Sequence, residues 1–475
     1  FTEKHITSDL TLPTIGASGT TISWKSSNPS VLSNEGKVTR PKKGAADEEV
    51  TLKGTVKMGD YAKARKFAFV VLAESEMGPT KEFALDQVEL LDDYYLTAQN
   101  SDIEFLKKFD NDRLLSRFRE TAGLDTKKIA PYGGWEDGWL GGHSVGHYLT
   151  AIAQAVKATG NADLKEKSKQ LIKGLAECQN KLGTGFIFGA KIETEGYVEK
   201  QFDILEGKTT GKTWVPWYNM HKMLTGLVDT YKYTGNKQAL EVAKKLGDWI
   251  YNRVSKWDAG TQGRVLGTEY GGMNDCLYEL YLCTRDSKHL EAAHKFDEPN
   301  LYKTVAKGGK NCLNGKHANT TIPKFLGALK RYVVLEQTGE LTKDDEAYLT
   351  NVEKFFDIAV TRHAYITGGV SVMEHFRKDN NQDGTRTQTN CESCCAHNML
   401  KMAKELYKVT GDKKYADYYE TTLRNSIMGA VKSESGAAAY FIPMATGYFK
   451  TFGNEDPAKN MFWCCTGSGM ENFTK

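Results

Sequence analysis

Two rhythms of apolar and polar residues divide the chain. Through about residue 76, β-branched residues alternate with polar ones in short runs broken by Ser, Asn, Gly and Pro, the period-two pattern of half-buried strands. From about residue 82 the apolar positions recur every three or four residues, as at Leu149, Ile152, Ala155 and Val156 or at Leu224, Leu227, Val228 and Tyr231. That spacing predicts helices to the end of the chain. A punctuation mark follows several of the helical runs: Thr159-Gly160-Asn161, Thr234-Gly235-Asn236, Thr338-Gly339-Glu340 and Thr410-Gly411-Asp412, with a looser cousin at Thr284-Arg285-Asp286. Glycine accepts the left-handed conformation that stops a helix, and the Asn or Asp after it helps start the next, so the marks predict stacked helical hairpins. Their spacings of 75, 50, 54 and 72 residues are too irregular for a short-period solenoid. A closed helical toroid with insertions of variable length is favoured over an irregular helical domain. In a toroid the inter-helix loops gather at one end and build a deep pocket.

The opening segment contains Thr20-Thr21-Ile22-Ser23-Trp24-Lys25-Ser26-Ser27-Asn28-Pro29-Ser30-Val31-Leu32, then Gly36-Lys37-Val38-Thr39. It resembles the immunoglobulin-like modules of bacterial extracellular proteins, which implies a small β-sandwich over residues 1–76 ahead of a helical domain over 82–475. At 475 residues the chain is long enough for more than one core. Its 40% hydrophobic and 26% charged residues belong to a soluble globular protein. A net charge of +3, without long like-charged blocks, gives no nucleic-acid footprint and suits an uncharged substrate. No run approaches the eighteen apolar residues of a membrane span, so membrane insertion is not expected. The chain begins Phe1-Thr2-Glu3, which lacks the basic and apolar regions of a signal peptide: it is either cytosolic or has had its signal removed.

Five of the nine cysteines fall in two tight groups, Cys391-Glu392-Ser393-Cys394-Cys395 and Phe462-Trp463-Cys464-Cys465-Thr466-Gly467-Ser468-Gly469. The first sits where a loop enters a helix expected from about Ala396 to Val409. Zinc suits such a pair of groups, because it prefers four tetrahedral ligands, binds thiolate strongly and tolerates a carboxylate. The spacing departs from common structural zinc sites, since one ligand must be Glu392. Three readings remain open at this stage: buried small hydrophobes or a disulfide, a structural zinc site, and a catalytic one.

Other polar residues near expected helix ends mix imidazole, carboxylate and amide groups in the manner of a sugar pocket. They are His143 and His147, His221, Asn274 with Asp275, and His317 with Asn319. Glu374 follows the glycine-rich turn Gly368-Gly369 and is placed to be a general acid. Each residue taken singly also has a bland reading as a satisfied structural polar group or a solvated carboxylate.

Together the motifs resemble the β-L-arabinofuranosidases of glycoside hydrolase families 127 and 146, the second more closely. The residues that carry the resemblance are Gly146-His147-Tyr148-Leu149, Tyr218-Asn219-Met220-His221, Gly271-Gly272-Met273-Asn274, His317-Ala318-Asn319-Thr320, Gly368-Gly369 through Glu374-His375-Phe376, Glu392-Ser393-Cys394 and Cys464 through Asn472. The resemblance implies an (α/α)6 barrel and a Zn2+ ion held by Glu392, Cys394, Cys464 and Cys465. It further implies Cys464 as nucleophile, Glu374 as general acid/base, and His221 and His317 as holders of the furanose hydroxyls, with His147, Asn274, Asp275 and Asn319 beside them. Ser393 stands where threonine is common, and Cys391 and Cys395 are unexpected, each a competitor for metal or a disulfide partner. The family continues into β-sandwich domains beyond the point where this chain stops, so a truncated chain with an incomplete pocket is expected.

The expected function is release of L-arabinose from a plant oligosaccharide or glycoprotein glycan by a retaining, exo-acting enzyme. The alternatives are an inverting hydrolase using Asp275 and Glu374, and a noncatalytic carbohydrate-binding protein. Secretion or surface display by an anaerobic bacterium is the expected location.

Overall fold

The computed structural model describes residues 5–6, 9–16, 19–42, 45–73, 80–190, 197–452 and 461–474. They form two compact units, one of Phe1–Glu82 with Lys404–Tyr418 and one of Phe83–Ala403 with Tyr419–Lys475.

In the first unit β1 (His5–Ile6), β2 (Thr21–Ser26), β3 (Glu48–Met58) and β4 (Tyr61–Val71) make one sheet in the order β1-β4-β3-β2. β3 and β4 are joined by the two-residue turn at Gly59-Asp60 and pair antiparallel from Met58 and Tyr61 to Glu48 and Val71. The alternation read from the sequence is the alternation of burial: Val50, Leu52, Phe69 and Val71 point inward onto Ile6 and Leu32. Outside these strands the described residues add the isolated bridge of Ile15 to Thr21 at the start of β2 and the bridge Leu32–Val38. The unit also takes in residues 404–418, which it holds through Arg40 and Asp412 at 2.6 Å and through Thr80 N–H donating to Lys408 O at 2.7 Å. This segment lies outside the 1–76 span expected from the sequence.

The second unit is helical. Its helices begin with α1 (Asp93–Lys107), α2 (Asn111–Thr121), α3 (His143–Thr159), α4 (Ala162–Leu182), α5 (Lys200–Leu205), α6 (Pro216–Thr234), α7 (Lys237–Val254) and α8 (Ala259–Leu266). They continue with α9 (Met273–Thr284), α10 (Ser287–His294), α11 (Pro299–Ala306), α12 (Ala318–Thr338), α13 (Glu346–His363), α14 (Ser393–Thr410), α15 (Lys413–Thr422) and α16 (Cys464–Asn472), of which α14 and α15 are divided with the first unit, which takes their residues 404–410 and 413–418. Among the described residues no helix is long and apolar enough to cross a membrane.

The punctuation marks have one structural meaning. They end α3, α6, α9, α12 and α14, and in the four glycine cases the glycine is left-handed, at φ between 67° and 73°. Asn161 and Asn236 then accept from the backbone N–H of Leu164 and Ala239, and Asp286 from Lys288, to open α4, α7 and α10.

The helices that carry these marks, joined by α16, form a closed inner ring whose members bond in turn. Thr150 on α3 donates to Asp229 on α6 at 2.9 Å, and Lys232 on α6 and Lys330 on α12 both reach Glu279 on α9 at 2.6 Å. Asn398 on α14 donates to Asn319 on α12 at 2.9 Å. His397 on α14 meets Asn472 on α16 at 2.8 Å, and Thr474 just beyond α16 donates to Gln154 on α3 at 2.8 Å. Gly146 against Gly226 and then Thr150 against Asp229, and likewise Asn274 against Gly327 and then Glu279 against Lys330, advance together along both partners, so these ring helices run parallel. This is the inner ring of an (α/α)6 barrel, with α4, α7, α10 and α13 packed outside it.

Parallel inner helices must approach closely, and α3 meets α6 through Gly146 and Gly226, where a methyl group on Gly146 would overlap the Lys222 carbonyl oxygen. The neighbour is backbone and cannot swing away. Gly146→Ala is therefore expected to destabilise the second unit by about 2–3 kcal/mol through overpacking, read as a lowered unfolding midpoint in denaturant with the slope unchanged.

Candidate functional site

Because the ring helices are parallel, their N-termini gather at one end of the barrel, and the chemistry-bearing residues sit on or just before their first turns. Helix N-termini carry partial positive charge and unpaired N–H groups, so this end favours anionic side chains. At α3 the need is met by Glu136, which accepts from Gly142 N–H at 2.7 Å and Ser144 N–H at 3.0 Å and lies 3.0 Å from His143 Nδ1.

α14 begins at Ser393, three residues before the expected start, which puts Cys394 in its first turn. α16 begins at Cys464 itself. The two-residue parallel pairing of β5 (Gly133–Gly134) with β6 (Met461–Phe462) fixes the approach to α16. The two helix starts bring Cys394 Sγ to 3.2 Å from Cys465 Sγ, with Cys464 Sγ 3.9 Å from Cys465 Sγ. Glu392 Oε1 lies 3.7 Å from Cys465 Sγ and 4.0 Å from Cys464 Sγ. All four ligand atoms fall within 4.8 Å of one another.

These spacings set aside the disulfide among the readings of the cysteines and fit a metal site, structural or catalytic. All nine are free, and the separations are far longer than the roughly 2.05 Å of a disulfide. Bonds of about 2.3 Å at tetrahedral angles would set sulfurs about 3.8 Å apart, which is the scale observed. Three thiols and a buried carboxylate at this range form a pocket that a single divalent cation can fill.

The four groups are not equivalent. Burial pushes the Cys394 and Cys465 thiols well above their usual range, and burial with the nearby Cys464 charge does the same to the Glu392 carboxyl. Cys464 is shifted the other way, well down, by hydrogen bonds from Cys394, Cys465 and Tyr440. It is also the only partly exposed sulfur of the three. Cys464 is thus the sulfur of the cluster whose surroundings most favour the ionised form, and it lies at the partly exposed edge.

Glu374 sits across from it. Val372 and His375 exchange backbone hydrogen bonds of 3.0 and 3.1 Å around a two-residue turn, whose central residues Met373 and Glu374 both have positive φ, 44° and 65°. Such a turn ordinarily recruits Asn and Gly. Met373 and Glu374 hold it at a cost of about 1–3 kcal/mol each, and Cys391, beside Glu392, is left-handed as well at 52°. The turn is pinned to the start of α12 by Ala318 N–H donating to Glu374 O at 2.6 Å.

The Glu374 carboxyl accepts from Tyr440 OH at Oε1, and its Oε2 lies 3.4 Å from His317 Nε2. Tyr440 OH is also 3.3 Å from Cys464 Sγ, so one hydroxyl links the carboxyl to the sulfur. The His317 contact holds Glu374 below the usual carboxylate range against its burial. Burial works against a charge on His317, yet the hydrogen bond to Glu374 and the nearby Glu269 and Glu392 carboxyls raise it to about 9.

The family model described as the β-L-arabinofuranosidase, GH127 catalytic domain matches residues 87–475. The chain belongs to the GH127 β-L-arabinofuranosidase family. A second model, the atrophied bacterial Ig domain, matches residues 2–74. Among solved structures, the GH127 β-arabinofuranosidase BT3674 is 18% identical with a TM-score of 0.59, over 84% of this chain and 61% of that one. A GH127 β-L-arabinofuranosidase from Geobacillus stearothermophilus T6 is 16% identical with a TM-score of 0.60, over 82% of this chain and 64% of that one. The chain thus spans about three fifths of the length of these structures. Among curated proteins nothing matches it by sequence.

In this GH127 chain the remaining candidates lie at different depths. His147, His221 and Asp275 line a narrow polar chamber inside the ring, together with Lys222, His397, Lys401 and Glu471. His147 bonds to Glu471 through Nδ1, while its Nε2 has no hydrogen-bond partner. His221 Nδ1 accepts from Gly272 N–H at 3.0 Å, and burial followed by the Lys222 and Lys401 charges keeps it neutral. Asp275 lies 3.6 Å from Lys401. Asn319 is occupied by its bond from Asn398.

Asn274 corrects the sequence reading. Fully buried, it donates to Asp297 at 2.9 Å and packs against Gly327 between α9 and α12, so its amide serves helix packing and not the pocket. The sequence reading missed Tyr440, Glu136, Glu269, His397 and Lys401, and held Glu471 only as a member of the Cys464–Asn472 motif. Tyr440 lies in a loop without a motif, and the others read as solvated charges.

Met373 is 60% exposed, so its strained backbone can be relieved without disturbing a packed side chain. Met373→Asn, which tolerates the left-handed region, is expected to stabilise the unit by about 0.5–1 kcal/mol in denaturant titration.

Proposed function

We propose that this chain is the catalytic part of a retaining, exo-acting β-L-arabinofuranosidase that releases L-arabinose from a plant oligosaccharide or glycoprotein glycan. Zn2+ would be held by Glu392, Cys394, Cys464 and Cys465. The observation that carries the reading is the line from Cys464 Sγ through Tyr440 OH to Glu374, a nucleophile and an acid/base joined by one hydroxyl. Zinc, when bound, supplies the positive charge that keeps the ligating thiols ionised at neutral pH.

The chain's own groups carry the proton and the sugar. Cys464 Sγ attacks the anomeric carbon, forming a carbon–sulfur bond as the bond to the leaving oxygen breaks, and Glu374, ionised at rest beside protonated His317, relays the His317 proton to that oxygen. Tyr440 holds the two groups together, donating to Glu374 Oε1 with its oxygen 3.3 Å from Cys464 Sγ. Glu374 then takes a proton from water as the water oxygen displaces sulfur, returning the thiolate and giving net retention, as in two-carboxylate glycosidases. His317, protonated behind Glu374, is the proton reserve of the pair. The polar chamber beneath, with His147, His221 and Asp275, and Asn319 at its edge, positions the furanose hydroxyls.

The match of residues 2–74 to a bacterial Ig domain supports secretion or surface display, with residues 1–76 as an accessory module to the catalytic 82–475. The competing inverting reading places the second carboxylate on Asp275, which instead rests against Lys401.

Proton NMR of the first-formed sugar from a β-L-arabinofuranoside, together with Cys464→Ala, tests the proposal. The β-anomer is expected first, and the variant is expected to lose at least about 10³-fold in kcat while remaining folded and helical, as removal of a covalent nucleophile does. Inversion, or undiminished turnover in Cys464→Ala, would overturn it.

A further inference from the structure

Cys391 and Cys395 flank the ligand pair, and the fold gives them separate surroundings. Cys391 belongs to an apolar cluster with Tyr365, Val372, Ala430 and Ile442. Cys395, in the first turn of α14, is fully buried and donates from Sγ to Glu392 Oε2 at 3.1 Å. The other carboxylate oxygen, Oε1, faces Cys465 and Cys464 at 3.7 and 4.0 Å. The two oxygens of Glu392 are therefore divided between two tasks.

We infer that Cys395 is a positioning residue of the metal centre: its thiol holds Glu392 Oε2 away from the ion, so that Glu392 ligates through Oε1 alone.

The local chain makes this arrangement specific. Glu392 N–H donates to Ser371 Oγ at 3.1 Å, and Cys395 N–H closes the first turn onto Glu392 O at 3.1 Å. Residues three apart on a helical turn share a face, which sets the thiol over the carboxylate. Three sulfurs and one oxygen complete a tetrahedral set, whereas a second oxygen would raise the coordination to five. Hydrogen bonds to ligating carboxylates typically govern metal affinity by 10–100-fold. The inference rests on the metal-centre reading and is independent of which glycan is cut.

The test uses the whole chain stripped of metal and reloaded with Co2+, without substrate. Wild type is expected to give the intense d–d bands of a four-coordinate site with three thiolates. Cys395→Ala is expected to give weaker bands of five-coordination and about 10–100-fold lower affinity in competition with a chelator. Cys395→Ser, which keeps a donor, stays near wild type, and Cys395→Val covers the case in which the alanine cavity unfolds the chain. A spectrum and affinity indifferent to residue 395 overturn the inference. So does loss of thiolate-to-cobalt charge-transfer intensity in Cys395→Ser, which would make Cys395 a ligand. Failure of the wild type to bind cobalt would instead sink the metal-centre reading itself.

Discussion

Three thiols and a carboxylate are packed at 3.2–4.0 Å where the first turns of α14 and α16 meet. Gathering four potential anions in a buried space is unfavourable unless protons or a cation compensate them. Without a cation, burial favours the neutral forms of Glu392, Cys394 and Cys465, while hydrogen bonds favour the ionised form of Cys464. A divalent ion would compensate all four. Cys464 is the sulfur at the partly exposed edge, and Tyr440 and Glu374 lie on its side of the cluster.

The barrel makes the meeting possible. Parallel inner helices deliver their N-termini to one end, so groups far apart in sequence become neighbours with the same sign of helix dipole behind them. Below the cluster the ring is held by Glu471 between His147 and His397, at 3.5 Å from the latter, and Gly467 packs its backbone against the His147 ring. Both contacts lie on α16, the nine-residue helix that carries Cys464 and Cys465. A short helix with little surface of its own is thereby registered against α3 and α14. The left-handed turn at Met373-Glu374 supplies the opposing wall, and its backbone cost is met by the packing around it.

Much of this was legible in the sequence, for identifiable reasons. The Thr-Gly-Asn marks carry their own physics, a left-handed stop followed by a side-chain cap, and they located the turns between inner and outer helices. Adjacent cysteines beside a glutamate are rare enough to point to one another. What remained hidden depended on depth. Asn274 and Asp275 are consecutive, yet one packs between helices and the other faces the chamber. Lys232, Glu279 and Lys330 read as solvated helix charges, but they join three inner helices. Tyr440 has no pattern around it, and only the path of its loop brings it between Cys464 and Glu374. The division of labour between Cys394 and Cys395 was also hidden, because it turns on which face of one helical turn each thiol occupies.

The central claim is that sulfurs from two stretches seventy residues apart close on one ion with a single glutamate oxygen. X-ray absorption at the zinc edge of the zinc-loaded protein measures this directly. The account predicts three sulfur neighbours at about 2.3 Å and one oxygen at about 2.0 Å. A shell of nitrogen and oxygen alone, or one with fewer than three sulfurs, would contradict it.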